Sequence, residues 1–221
     1  MALVEQGASI ISTSCGFLAS YQNYLSKILP VPVITSSLIQ CKQYALPAIV
    51  TIDSYNLTGT ILAAAEVPTG TPVEGVEPGC EFQQRILNND TELNIVEAKQ
   101  NVVAAALKLV SRAPTVENII LEYTNMPPYR EAVAKATSRT VHDIETLLIT
   151  AWRKRSESTS TDFLQTLVSP HVNHRALLLY RCRHHQITFF RLDVLVRANA
   201  NLRPSELPLG TNCSCPLFAT E

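Results

Sequence analysis

The strongest constraint on this chain is a pattern that occurs twice. An apolar run that reads as a strand ends in small polar residues and gives way at once to a helix start. The first copy is Ile10-Ile11-Ser12-Thr13-Ser14-Cys15-Gly16-Phe17, followed by an amphipathic stretch at 17–29. The second is Asn118-Ile119-Ile120-Leu121-Glu122-Tyr123-Thr124-Asn125-Met126-Pro127-Pro128-Tyr129. A strand that turns directly into a helix puts the turn at the carboxyl edge of its sheet, where open α/β sheets bind ligands. It also sets Cys15 near a helix N-terminus, whose partial positive charge favours a thiolate. The competing reading of Cys15 is a packing residue, since free cysteine is among the most buried residue types.

The rest of the first 152 residues alternates in the same way. Residues 3–7 read as the end of a helix stopped by Gly7, and 8–12 as the first strand. The helix at 17–29 brings Phe17, Tyr21, Tyr24, Leu25 and Ile28 close to one face, and Pro30 and Pro32 mark its exit. A short strand at 31–34 precedes a helix capped by Ser36 or Ser37 and reaching to about residue 45. Strands are expected at 48–52, 73–76, 116–121 and 140–142. Helices are expected at 55–65, 80–88, 92–112, 129–136 and 144–152. The long one is capped within Asn89-Asp90-Thr91 and has an apolar face of Leu93, Val96, Val103, Ala106, Leu107 and Val110. Pro127 opens its helix at a position where a missing N–H does no harm. Strands alternating with helices predict an α/β fold, with mainly parallel sheets and helices on both faces.

Bulk properties exclude several classes. The chain has 221 residues, enough to bury a good core, with 46% hydrophobic and 17% charged residues. A net charge of −1 gives no electrostatic case for nucleic acid. No apolar run approaches the ~18 residues of a membrane span, so no membrane partner is expected. The start of the chain has Glu5 and no basic residue through Ser9, which argues against a signal peptide and for a cytoplasmic location. Six scattered cysteines suggest no disulfide framework in a chain of this length. There is no glycine-rich phosphate loop, and no cofactor is expected.

Four short segments carry a resemblance. Thr13-Ser14-Cys15-Gly16-Phe17-Leu18, Thr35-Ser36-Ser37-Leu38, Thr51-Ile52-Asp53 and the second copy at 122–129 resemble the aspartate/glutamate/hydantoin racemase family, over about residues 7–148. The resemblance implies two pseudo-symmetric lobes. Family members carry a first strand and substrate loop before the Cys15 segment, so the first lobe is expected to be incomplete here. Where members carry cysteine in the second motif, this chain has Tyr123. The resemblance implies cofactor-independent proton transfer at the carbon alpha to a carboxylate, on a small carboxylate or amino-acid substrate, and a possible homodimer. Cys15 and Tyr123 would be the acid/base pair. Thr13, Ser14 and Gly16 would line one side of the substrate, and Thr124 and Asn125 the other.

Tyr123 is the consequential departure. Its phenol ionises about 1.5 units higher than a thiol before any tuning. Three readings stay open: a weakly acidic partner in an altered racemase, one-sided chemistry such as decarboxylation of a malonate-type acid, or an inactive relic that binds without turnover. Asp53 reads as a helix cap before a ligand group, and Cys41 and Cys80 as packing or surface residues. A lone His142 reads as structural. The texture changes at 153–221: from Arg155 onward there are seven Arg, no Lys and one glycine. This stretch is expected to be an atypical, poorly ordered tail, of the kind that a shifted frame or retained intron produces. Cys182-x-His184-His185 with Cys213-x-Cys215 lacks the spacing of a structural zinc site, so no metal is expected.

Overall fold

The structure is a computed structural model and describes residues 2–5, 7–163, 175–182 and 186–190. A short α1 (Ala2–Glu5) is followed by Gly7 at φ +89°, a conformation that glycine adopts without steric cost. Buried β1 (Ala8–Thr13) follows. A 3-10 segment, Gly16–Tyr21, winds into α2 (Gln22–Ile28). After β2 (Val33–Ile34) comes a second 3-10 segment, Ser37–Gln43. The Ser36 hydroxyl caps it, accepting from the Leu38 N–H at 3.2 Å. Next come β3 (Pro47–Thr51), α3 (Gly59–Ala64) and β4 (Val73–Gly75). They are followed by α4 (Glu81–Asn88), α5 (Ile95–Arg112) and β5 (Asn118–Leu121). A 3-10 turn at Pro127–Tyr129 opens α6 (Arg130–Thr137), and β6 (Thr140–His142) and α7 (Ile144–Phe163) come after it. β7 (Arg175–Cys182) and β8 (Gln186–Phe190) are the last described strands.

The strands form two four-stranded sheets, in the orders β2-β1-β7-β8 and β4-β3-β5-β6. All pairs are parallel except the antiparallel β7–β8 pair. This is the expected α/β architecture. The two copies of the repeated pattern take matching places, each at the end of an interior strand of its own sheet. β1 is flanked on both sides, by β2 and by β7, with Thr13 opposite Leu179. That second neighbour comes from a stretch whose pattern is too short to choose between helix and strand.

The second sheet shows why helices cover both faces. Strand side chains alternate. Ala48, Val50, Ile119 and Leu121 face one side, where they meet Ala98, Val102, Ala105, Ala106 and Leu109 of α5. Ile49 and Ile120 face the other side, toward Leu38, Cys41 and Ala19. The 3-10 segments that follow β1 and β2 therefore pack on the sheet that carries β5. On the first sheet, Ile10 and Ile34 pack with Ile144 and Leu147 of α7.

Several local expectations are corrected. The apolar face expected for α5 is rotated: Val96 and Leu107 are exposed, and Ala98, Val102, Ala105 and Leu109 are buried together with the expected Ala106. The α5 cap is Asn94, whose side chain accepts from the Glu97 N–H at 3.2 Å, while Asn89 ends α4 in the left-handed conformation at φ +61°. The helix expected at 17–29 is split. Its first part winds at about three residues per turn, so Tyr21, Tyr24 and Ile28 fall outside the core. The helix expected from residue 55 begins at Gly59.

One buried charge ties α6, α7 and the second 3-10 segment together. Fully buried Asp143 accepts from Arg130 at 2.5 Å and from the Thr146 N–H at 2.8 Å, and its carbonyl accepts from Gln40 at 3.1 Å. Asp143→Ala should cost about 3 kcal/mol in urea unfolding, because it strands a half-buried guanidinium and removes a cap. Glu145→Gln, at the exposed end of the same cluster, should cost less than about 1 kcal/mol.

Candidate functional site

The first loop is held by its own polar residues. The Thr13 hydroxyl at the end of β1 donates to the Thr35 carbonyl at 2.5 Å and lies 3.2 Å from that of Cys15. Thr35 is fixed in turn by Gln22, whose side-chain oxygen accepts from the Thr35 N–H at 3.0 Å and hydroxyl at 2.8 Å. Cys15 is the extended residue before the 3-10 segment, at φ −136° and ψ 117°. Its carbonyl accepts from the Leu18 N–H at 3.0 Å. The residue is 6% exposed, so the thiol sits at the buried start of a helical turn.

The second loop is built in the same way at the end of β5. The Glu122 N–H continues the ladder to Val50 at 2.8 Å, and the Met126 N–H donates to the Tyr123 carbonyl at 3.0 Å. Pro127 then starts the 3-10 turn, as expected from its fixed φ.

The two loops meet. The Thr124 hydroxyl donates to the Ser14 carbonyl at 2.5 Å. Gly16 lies directly against Glu122: a Cβ there would fall 1.7 Å from Glu122 Oε1 and 2.9 Å from its backbone oxygen. Glu122 Oε2 accepts from the Thr51 hydroxyl at 2.7 Å. The Ser37 hydroxyl lies 2.9 Å from the Leu121 carbonyl and 3.2 Å from that of Glu122. The four segments that carry the family resemblance thus converge on one seam, although 71 residues separate Thr51 from Glu122 and 110 separate Ser14 from Thr124.

Thr13, Ser14, Cys15, Gly16 and Thr124 are brought together at this seam. Tyr123 is adjacent but buried, and belongs to the apolar cluster that includes Ile52, Phe82, Met126 and Tyr129. Asn125 is half-buried in the turn before Pro127. Gln22 lies outside every motif in the sequence, and Ser37 and Thr51 lie in the resembling segments without a role assigned there. The available signal was a polar residue at each strand or turn end inside an apolar context.

The remaining candidates are structural. Asp53 accepts from the Tyr55 and Asn56 N–H groups at 2.9 and 3.3 Å and so shapes a turn. His142 stacks on Tyr44 at 3.7 Å, with Nε2 3.1 Å from Asn118 Oδ1, and burial lowers its pKa. Cys80 precedes α4 and packs against the core. Cys41 is fully buried, and burial pushes its thiol up to about 12. Among the described residues, no group of three His, Cys, Asp or Glu is placed to hold a metal. No helix among them is long and apolar enough to cross a membrane. His184, His185, Cys213 and Cys215 lie outside the described residues.

Two outcomes follow from this geometry. Gly16→Ala should destabilise the fold by about 1–3 kcal/mol in denaturant unfolding, because the Glu122 backbone as well as its side chain would have to move. Cys41 should resist alkylation at pH 8 in the native protein. Its raised pKa keeps the proton in the folded state while the unfolded thiol ionises near its ordinary 9.0, so the stability it contributes is present below about pH 9. That contribution should fall as pH rises towards about 12, and Cys41→Ala should flatten this limb of a stability–pH profile.

No family model matches the chain. A curated relative, dimethylsulfoniopropionate lyase 5 of Emiliania huxleyi (strain CCMP1516), is 26% identical over an alignment of 156 residues that covers 65% of this chain and 31% of the relative. The chain thus spans about a third of the length of that relative. Among solved structures, it is similar to a glutamate racemase from Thermus thermophilus in complex with β-chloro-D-alanine. The TM-score is 0.48 at 17% identity, over 80% of this chain and 64% of that one. It is also similar to a glutamate racemase from Francisella tularensis subsp. tularensis SCHU S4 in complex with D-glutamate, with a TM-score of 0.45 at 16% identity, over 80% and 66% of the two chains. At these scores the fold assignment rests on the strand order and pairing described above.

Proposed function

We propose that this protein catalyses cofactor-independent proton transfer at the carbon alpha to a carboxylate. The observation that supports this reading best is the seam itself: a buried thiol at a strand end, bridged to a second strand-end loop through Thr124 and Ser14. Such chemistry needs a base of tunable pKa and fixed donors for the charge that develops on the carboxylate oxygens. Cys15 as thiolate takes the alpha proton. Polar groups of Ser14, Gly16 and Asn125 hold the carboxylate and the enediolate, and Thr13 and Thr124, whose hydroxyls donate to the Thr35 and Ser14 carbonyls, hold the two loops around it. In a racemase, Tyr123 returns a proton on the opposite face of a small amino acid.

One observation favours a second outcome for the same first step. Tyr123 packs among apolar residues, and a phenol is a poor acid/base near neutral pH. One-sided chemistry needs only one base. With a substrate such as dimethylsulfoniopropionate, Cys15 takes the alpha proton and the alpha–beta double bond forms. The beta carbon–sulfur bond breaks with its electron pair leaving on dimethyl sulfide, and acrylate is the other product. The relative named as a lyase of this compound supports testing that outcome.

Proton NMR in deuterium oxide separates these readings. Incubation with aspartate, glutamate and dimethylsulfoniopropionate should show loss of an alpha-proton signal, or release of dimethyl sulfide, for at least one of them. Cys15→Ala should lower that rate by at least about 100-fold. Tyr123→Cys should raise racemisation over elimination. Saturable binding with neither exchange nor elimination would replace this reading with that of a binding protein.

A further inference from the structure

We infer that Gln22 is a positioning residue for Cys15: its side-chain amide locks Thr35, and Thr35 in turn holds both ends of the segment on which the thiol lies. The inference deepens the reading given under Proposed function and rests on it. Gln22 is the first residue of α2 and is half-buried. Its amide is fully engaged. Nε2 donates to the Val33 carbonyl at 2.8 Å and to the Ser26 hydroxyl at 2.9 Å. Oε1 accepts from the Thr35 N–H at 3.0 Å and from the Thr35 hydroxyl at 2.8 Å. Two donors and two lone pairs are all that an amide has. The reversed amide would set donor against donor at Thr35 and acceptor against acceptor at Val33, so the network fixes which way the side chain points.

The consequence lies in what Thr35 does with its other end. Thr35 is fully buried, and its carbonyl accepts from the Thr13 hydroxyl at 2.5 Å. One residue therefore bonds to position 13 through its carbonyl and to position 22 through its N–H and hydroxyl. Cys15 lies on the stretch between these two anchors, and its own carbonyl is 3.2 Å from the Thr13 hydroxyl. Strand pairing does not supply this hold. β2 pairs with β1 only through Val33 and Ile34, so the ladder ends before Thr35. The amide of Gln22 takes over where the ladder stops. Two positions further on, the buried Ser37 hydroxyl lies 2.9 Å from the Leu121 carbonyl, at the end of β5. The turn that Gln22 locks thus touches both strand-end loops, with its two contact residues no more than about 7.6 Å apart between Cα atoms. A segment tethered at both ends samples fewer conformations, and a base displaced by about 1 Å loses about 100-fold in rate. Gln22 acts on the reaction by holding Cys15 in place, without touching substrate.

The test is iodoacetamide alkylation at pH 8 in the full-length native chain, read by mass spectrometry of the Cys15 and Cys41 peptides. Gln22→Met keeps the length of the side chain and removes all four hydrogen bonds. It should raise the Cys15 rate about tenfold while Cys41, buried in the neighbouring layer, stays protected. Thr35→Val removes one of the four and should raise the Cys15 rate about threefold. Thr35→Ser keeps the hydroxyl and should stay at the wild-type rate. On a substrate that is turned over, Gln22→Met should lower kcat about tenfold and change KM less than about twofold, since a misplaced base loses chemistry before binding. Cys15 rates within about twofold of wild type in both Gln22→Met and Thr35→Val, with native circular dichroism, overturn the inference. So does a rise at Cys15 matched by one at Cys41, which marks a general loosening of the fold. If Gln22→Met does not fold, Thr35→Val decides on the same two criteria. Alkylation needs no turnover. A wild-type protein that exchanges no alpha proton therefore defeats the proposed reaction alone, and an unmoved Cys15 rate in a protein that does exchange defeats this inference alone.

Discussion

A backbone approach that only glycine permits, between Gly16 and Glu122, fixes how the two strand-end loops of this protein meet. Residue 16 has no room for a Cβ against the Glu122 side chain and carbonyl. Everything around the seam is arranged to keep that approach: Thr124 bridges to Ser14, Ser37 reaches the carbonyls at the end of β5, and Thr51 holds the carboxyl group. Each bond joins elements from different parts of the chain. Buried polar groups are costly unless satisfied, so such a set favours one arrangement of the loops over its neighbours.

The hydrophobic packing places the seam at this position. Because β3 and β5 present alternate side chains to opposite faces, α5 covers one side and the 3-10 segments after β1 and β2 cover the other. The segment beginning at Gly16 must therefore lie on the second sheet, close to the end of β5. Burial of Ala19 and Leu38 in that layer carries the Cys15 turn to Glu122. The fully buried Cys41 in the same layer is inert by the same desolvation that makes it good packing, so burial alone does not distinguish a reactive thiol from a packing one. The two differ in place: the Cys15 carbonyl lies 3.2 Å from the Thr13 hydroxyl in a strand-end loop, and Cys41 packs in the apolar layer.

Much of this architecture is legible along the chain because it depends on short-range patterns. The strands at 8–12, 48–52 and 116–121 are apolar runs bounded by turn residues, and they are strands in the structure to within about two residues. Ser36 as a cap follows from a side chain that reaches only its own backbone, whereas Asp53, expected to cap a helix, closes a turn ahead of α3. The expectations that failed depend on distance. The apolar face of α5 was assigned by hydrophobicity, but the sheet buries Ala98, Val102, Ala105 and Leu109 beside the expected Ala106 and leaves Val96 and Leu107 exposed. The segment at 17–29 carries a regular helical pattern, but its first turns tighten to 3-10 where Gly16 is drawn against Glu122. The run at 176–180 is too short to show a period, and its strand becomes visible only through its pairing with β1.

The sequence by itself determined the class of fold and the two places where chemistry could sit, because alternation of strand and helix patterns and small polar residues at strand ends are local properties. It also marked Cys15 as the candidate base and Tyr123 as the departure from a two-thiol site. Only the tertiary structure decided that the two places are one. Residues 110 positions apart are joined there by a hydrogen bond, and the Glu122 carboxyl group fills the space a side chain at Gly16 would have taken. Contacts of that range are set by how sheets and helices pack, and no local pattern encodes them.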